Sequence, residues 1–312
     1  MMKRICILLA AALMMLTATG CAGIGGEVMA AFDSTESEAI VLDAEGIWKQ
    51  MSKAVDGRAA SSFRDSVQMG SSLDLAFFSL DTNVYAQTDV ILSDDPYGYY
   101  AKTNVRASLF GKEISKTFNV YSVTNDSGLD TYFHLDGEDS WYKNHNSMVP
   151  TDLLGQYEIT ACKGNWVPKN LSLAEEHADL NGTESYVLSS TFAASDVLKS
   201  ISSPVGEISF ENVDISGLEL QVTYYVDVQT FLPVQIEIRY QGIGAMLGDL
   251  INKYAGKVTG NSIPLDVDVT SYKETLTNIS YGDVEMPEVP AEAIQNSKDI
   301  KDLDLSAVMD LF

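Results

Sequence analysis

A period of two in apolar residues is the feature that most limits what this chain can fold into. From Ser66 onward apolar and polar positions alternate, and they do so for most of the length. Leu73, Leu75 and Phe77 alternate with Asp74 and Ala76; Tyr99, Ala101, Thr103, Val105, Ala107 and Leu109 alternate with Lys102, Asn104, Arg106 and Ser108. The pattern is cleanest at Leu218, Leu220, Val222, Tyr224 and Val226, and again at Val234, Ile236, Ile238 and Tyr240. Successive side chains of a strand point to opposite faces, so each run reads as a half-buried strand.

Turn chemistry joins these runs. The residues from Asp227 to Pro233 form a hairpin connection, with Pro233 opening the second strand, where a missing donor is tolerated. A second hairpin runs from Thr131 to Lys143 and turns at Asp136-Gly137. Further strands are expected at 84–92, 114–123, 185–190 and 265–281. About ten or eleven strands against few helices predict an α+β, β-dominated fold, a single antiparallel sheet with one dry face. So wide a sheet should curl into a half-barrel.

Helical signals are sparse. Asp43 is placed to cap a helix carrying Ile47, Met51, Ala54 and Val55 on one face, with Trp48 at its edge. Residues 195–201 read as a short helix, Met246, Leu247, Leu250, Ile251 and Tyr254 as an amphipathic one, and residues 291–312 as a C-terminal amphipathic helix or tail, with 297–312 as its helical part.

Composition narrows function. The chain has 20 Lys and Arg against 44 Asp and Glu, a formal charge of −24. Phosphate recognition rests on clustered bases, so nucleic acid is excluded as a partner. An acidic body is also repelled by anionic lipid heads. Of the three cysteines, Cys6 lies in the amino-terminal apolar run, Cys21 just beyond it, and Cys162 stands alone. No disulfide is therefore expected, and a lone cysteine such as Cys162 is ordinarily a small core residue.

Lys3 and Arg4, the apolar run from Ile5 to Leu16, and the small residues Ala18-Thr19-Gly20 before Cys21 have the layout of a secretory signal. The segment resembles a bacterial lipoprotein signal. The resemblance implies removal of residues 1–20, a diacylglycerol thioether on Cys21 and acylation of the new amino terminus. An ordinary signal cut near Ala18 or Ala22, or a single membrane helix, are the other readings, although the run is shorter than the roughly twenty residues of a span. Residues 21–41, rich in Gly, Ala, Ser and acids, read as a lipidated cysteine and flexible tether.

Beyond the tether, one amphipathic helix followed by antiparallel strands, with the segment from Tyr224 to Val234 and the Tyr132–Tyr142 hairpin, resembles the lipoprotein-localisation-factor superfamily (LolA/LppX-like), including the mycobacterial lipid-carrying lipoproteins. Asp227, Thr230, Leu232 and Pro233 carry that likeness. It covers residues 42–290 and implies a half-barrel with helices in its mouth around an apolar cavity that holds acyl chains. It supplies no catalytic residues.

The residues themselves offer little catalytic chemistry. There is no Gly-x-Ser-x-Gly elbow, no His-Glu-x-x-His and no paired cysteines for zinc. His134, His145 and His177 share no ligand spacing, and the acidic clusters lack a spaced calcium loop. Gly242-Ile243-Gly244 opens a helix after a strand, but the neighbouring runs alternate as antiparallel strands do, against a dinucleotide site. Neither enzyme activity, nor a metal, nor a cofactor is expected.

The apolar faces carry the expectation instead. Met51, Leu73, Phe77, Val105, Leu109, Leu220, Val222, Tyr224, Val234, Ile236, Ile238 and Leu250 are the candidate ligand-lining residues, or else a filled core. The leading reading is an extracytoplasmic lipoprotein, tethered to the membrane through Cys21, that binds an apolar small molecule, a lipid or an acyl chain. Carriage or presentation of that ligand would extend it. The alternative is a cell-envelope module that meets a protein partner through a strand edge or the terminal helix.

Overall fold

The computed structural model describes residues 43–55, 61–75, 78–94, 97–109, 112–147, 168–193, 219–242, 266–282 and 284–302. The signal, Cys21 and its tether, Phe77, Cys162, Leu218, the expected helices at 195–201 and around Leu250, and residues 303–312 lie outside them.

The described chain opens with helix α1 (Ala44–Val55). Asp43 caps it as expected, its Oδ1 accepting from the Gly46 N–H at 2.7 Å. Ile47, Met51 and Val55 are fully buried, so the three-and-four spacing gives one apolar face.

Six strands follow: β1 (Ser62–Leu75), β2 (Phe78–Asp94), β3 (Tyr97–Leu109), β4 (Lys112–Asn125), β5 (Gly128–Leu135) and β6 (Trp141–Asn146). Then come β7 (Lys169–Leu173), β8 (Ala178–Leu180), β9 (Thr183–Ala193), β10 (Glu219–Asp227), β11 (Pro233–Gln241) and β12 (Asp266–Ser280), followed by helix α2 (Ala291–Asn296) and the two-residue β13 (Lys298–Asp299). They form one thirteen-stranded sheet in the order β13-β6-β5-β4-β3-β2-β1-β12-β11-β10-β9-β7, with β8 paired to β9. Every pairing is antiparallel except that of β13 with β6. The sheet is strongly curved and its two ends do not meet.

The alternating runs become strands for the reason they predict. In β10, Leu220, Val222, Tyr224 and Val226 are at most 1 % exposed, while Gln221, Thr223 and Tyr225 between them are half-buried. The connection to β11 is held by side chains: Asp227 Oδ1 accepts from the N–H groups of Gln229 (2.7 Å) and Thr230 (2.8 Å). Phe231 takes φ 57° there and stacks its ring on Tyr186 at 6.1 Å. Where the sequence places Val234 in phase with Ile236, the register shifts and Pro233 takes the position opposite Val226. Val234 becomes the extra residue of a bulge and is only half-buried.

Other differences are local. The first strand begins at Ser62, ahead of Ser66. β7 and β8 lie in a segment whose alternation is too brief to read, and each borrows its register from β9. Residues 298–299 do not open a helix at Ser297 but pair with Tyr142 and Lys143. The helix comes earlier, after Pro290, whose carbonyl accepts from the Ala293 N–H at 2.9 Å. Its only buried side chain is Ala293, set against Tyr132 and Trp141 on the outer face, so it has no apolar stripe to betray it.

Gly128 opens β5 at φ +141°, where a Cβ would lie 2.2 Å from the Asn146 carbonyl oxygen. Gly128→Ala is expected to lower stability by at least about 2 kcal/mol, because backbone rather than a flexible side chain must yield. Urea unfolding monitored by circular dichroism checks this, and an unchanged midpoint would contradict the close approach of β5 and β6.

Candidate functional site

The inner face of the sheet, the one α1 covers, is built from lanes of residues that register sets side by side. One lane runs from β9 to β5 through Leu188, Tyr224, Ile236, Leu276, Asp65, Thr88, Thr103, Phe118 and Leu135. The next runs through Ser190, Val222, Ile238, Glu274, Val67, Ala86, Val105 and Lys116.

The face has two unequal halves. Under α1, Ile47 and Met51 pack with Leu188, Phe192, Leu220, Val222, Tyr224, Ile236, Ile238 and Leu276, and Trp48 meets Tyr224 edge-on at 5.6 Å. This half is filled by large side chains. On β2 and β3, Val90, Leu92 and Tyr99 join that same cluster, and only the stretch beyond them, Ala86, Val105 and Ala107, is lined by small buried side chains.

Of the residues expected from sequence, Met51, Leu220, Val222, Tyr224, Ile236 and Ile238 come together in the α1 half. Val105 lies on the same face, four strands beyond Ile238. Val234 is displaced by the bulge. Backbone register sets Leu73 opposite Leu80 and Leu109 opposite Lys112, while Phe77 and Leu250 lie outside the described residues.

Two acids interrupt the apolar lanes, and sequence reading passed over both. Asp65 is in phase with the buried Phe63 and Val67, just ahead of the point where alternation becomes obvious; Glu274 is in phase with Tyr272 and Leu276. An acidic residue at an apolar-phase position is the signal that would have found them. Asp65 is 7 % exposed and its Oδ1 has no hydrogen-bond partner. Glu274 is half-buried and accepts a hydrogen bond from the Tyr240 hydroxyl at 3.2 Å. Among the described residues neither acid has a Lys or Arg in ion-pair contact. The bases of the same strands lie on the outer face, where Arg64 pairs with Asp89 at 2.6 Å and Lys273 with Glu237 at 3.1 Å.

Burial, and then the neighbouring Glu274, push the Asp65 carboxyl well above its usual range. Burial likewise pushes Glu274 up to about 7, against the Tyr240 hydrogen bond, which lowers it.

The histidines are engaged separately. His134 stacks on Trp141 at 4.7 Å, His145 contacts Asp130 at 2.8 Å, and His177 contacts Glu184 at 2.6 Å. Among the described residues no group of three His, Cys, Asp or Glu is arranged to hold a metal ion. No described helix is long and apolar enough to cross a membrane. A groove of about 450 Å³ at the β1–β3 end takes side chains from both faces, Met69 and Val84 with Arg106 and Glu113, and differs from the apolar lining expected.

No family model and no curated protein matches the chain. Among solved structures it is similar to LprF from Mycobacterium bovis, at 14 % identity and a TM-score of 0.38, over 78 % of this chain and 96 % of that one. It is also similar to the Mycobacterium tuberculosis lipoprotein LppX, at 12 % identity and 0.33, over 75 % and 92 %. A LolA-superfamily protein from Nitrosomonas europaea is similar at 11 % identity and 0.20, over 81 % and 97 %.

The inner acids set a pH dependence. A carboxyl whose value is raised on folding contributes stability that is fully present below its unfolded value near 4 and is lost as pH rises through the folded value. The melting temperature is therefore expected to fall between pH 5 and pH 8. Glu274→Gln should remove about 2–4 °C of that fall, the effect of about 1 kcal/mol in a chain of this size once solvent at a half-buried group is allowed for. Differential scanning calorimetry across the range checks this; parallel curves for variant and parent would contradict it.

Proposed function

We propose that the protein is an extracytoplasmic lipoprotein, held to the membrane through a lipidated Cys21, whose curved sheet binds an apolar molecule, a lipid or an acyl chain, on its inner face. The observation that carries this reading is the inequality of the two halves. Large side chains fill the space under α1, whereas Ala86, Val105 and Ala107 beside it are small, so that an apolar ligand lying there meets a floor of short side chains. An apolar chain laid along such a surface gains about 25 cal/mol for each Å² taken out of water. Nothing in the described residues supplies a nucleophile with its base, so we read the protein as a binder rather than an enzyme.

A second reading has one observation in its favour. β13 pairs along the edge of β6 at one end of the sheet, but among the described residues β7 ends the other, with Lys169, Asn170 and Ser172 exposed. Such an edge accepts an added strand, as a cell-envelope partner protein could provide.

The reading makes two checkable statements. Protein beginning at Ala22 and purified without detergent should carry a stoichiometric apolar adduct in native mass spectrometry, released on denaturation; a clean mass unchanged by incubation with membrane lipid extract would sink the carrier reading in favour of the partner-binding one. In cells, Cys21→Ser should abolish incorporation of labelled fatty acid into the protein, and retained label would rule out Cys21 as the anchor.

A further inference from the structure

Asp65 and Glu274 reach the inner face from strands more than two hundred residues apart, β1 and β12. Register sets Asp65 opposite Leu276 and Glu274 opposite Val67, which makes the two acids diagonal neighbours on one face. Diagonal neighbours lie about 7–8 Å apart, within the span of two carboxylate side chains.

Their surroundings are apolar apart from the Tyr240 hydroxyl on Glu274 and one row of hydroxyls. Leu276 and Ile238 flank them on β12 and β11, Val67 and Ala86 on β1 and β2, all buried. That row lies beyond Asp65, where the Thr88 and Thr103 hydroxyls are bonded to each other at 3.0 Å. Asp65 Oδ1 is left without a donor although the residue is 93 % buried, that is 7 % exposed. Folded proteins seldom leave a buried carboxylate oxygen orphaned, because its lost hydration is not replaced. The atom calls for a donor that the described residues do not supply.

The chemistry of the missing donor is narrow. A divalent cation would need more hard oxygen ligands than two acids and a phenol, and among the described residues no third acidic or histidine ligand converges here. An anion is repelled. A neutral apolar ligand would leave Oδ1 as it is. What suits two acids in an apolar floor is a group with several N–H donors and a positive charge, attached to an apolar body.

We propose that the inner face binds a cationic amphiphile, with its protonated amine on Asp65 and Glu274 and its apolar chain along the small-residue floor of Ala86 and Val105. This rests on the reading of the inner face as an apolar-ligand site and adds the head group that site selects. Glu274, the less buried of the two acids, offers the way in, and the net charge of −24 favours the approach of a cation over that of an anion. The titratable groups on the same face include Tyr224 from β10, Tyr240 from β11, Tyr272 from β12 and Tyr99 from β3; next to Asp65, β2 and β3 present the Thr88 and Thr103 hydroxyls. The first base along the lane is Lys116 on β4, three strand spacings from β1, or about 14 Å. Arg64, Arg239 and Lys273 belong to the outer face, in phase with the residues that alternate with the lanes.

Three probes of equal chain length, dodecylamine, dodecanol and dodecanoate, titrated below their micellar concentrations into the mature protein at pH 7.5 by calorimetry, test this. Dodecylamine is expected to bind at least tenfold more tightly than dodecanoate. Asp65→Asn and Glu274→Gln should each shrink that preference at least fivefold while leaving dodecanol binding within a factor of two. Neither change removes volume, and circular dichroism confirms that each variant folds. Dodecanol binding without preference for the amine, or a preference that survives both substitutions, would overturn the head-group assignment and leave the apolar site standing. Absence of binding by all three would overturn both.

Discussion

The pairing of β1 with β12 is the contact on which the rest of the sheet depends. Without it the chain would hold two separate meanders, β1 to β6 in sequence order and β9 to β12 in sequence order. The first is made of neighbouring strands joined by short connections; in the second, β10 and β11 form a tight hairpin, while 25 residues separate Ala193 from Glu219 and 24 separate Gln241 from Asp266. The joining pair runs from Ser62 opposite Ser280 to Asp74 opposite Asp266, so most of the chain must be closed into a loop before it forms. Closure entropy grows only with the logarithm of loop length, and two long strands with a buried face offset it. Once joined, the two meanders share one inner face, and α1 can cover the half that carries the largest side chains.

That same seam brings Asp65 and Glu274 together, one from each meander. Elsewhere the sheet separates charge from the interior in the ordinary way: Arg64 meets Asp89 across β1 and β2, and Lys273 meets Glu237 across β12 and β11, all on the outer face. Asp130 follows the same rule among the aromatic residues of β5 and β6. Its carboxylate is tied to Lys143 at 2.8 Å and His145 at 2.8 Å, and despite burial these contacts hold its pKa below the usual value. A buried acid with partners stabilises; a buried acid without them is held at a cost, and cost of that kind concentrates where a molecule binds.

Much of the fold was legible in the residues. Strand positions follow from the alternation of Leu220, Val222, Tyr224 and Val226, the entry helix from Asp43 and the spacing of Ile47, Met51 and Val55, and the Asp136-Gly137 turn from a glycine that takes φ 97°. Illegible elements share one property, which is that their conformation is imposed from outside. β7, β8 and β13 are short and polar and exist because β9 and β6 offer them hydrogen bonds. Helix α2 rests on a single buried alanine. The candidate site was legible only as a list of apolar residues, and its acids escaped because each alone looks like the polar half of an alternating pair.

The sequence by itself determined that this chain makes a broad antiparallel sheet with one apolar face, since side-chain period is a local property of extended backbone. It also determined that the body is acidic. Only the tertiary structure decided that the large apolar side chains gather under α1 and that the small ones, Ala86, Val105 and Ala107, fall together beyond them. It alone decided, too, that two carboxylates meet in the middle of the apolar face. Which residues become neighbours across β1 and β12 depends on a register set by every strand between them, and no local pattern in the chain encodes that sum.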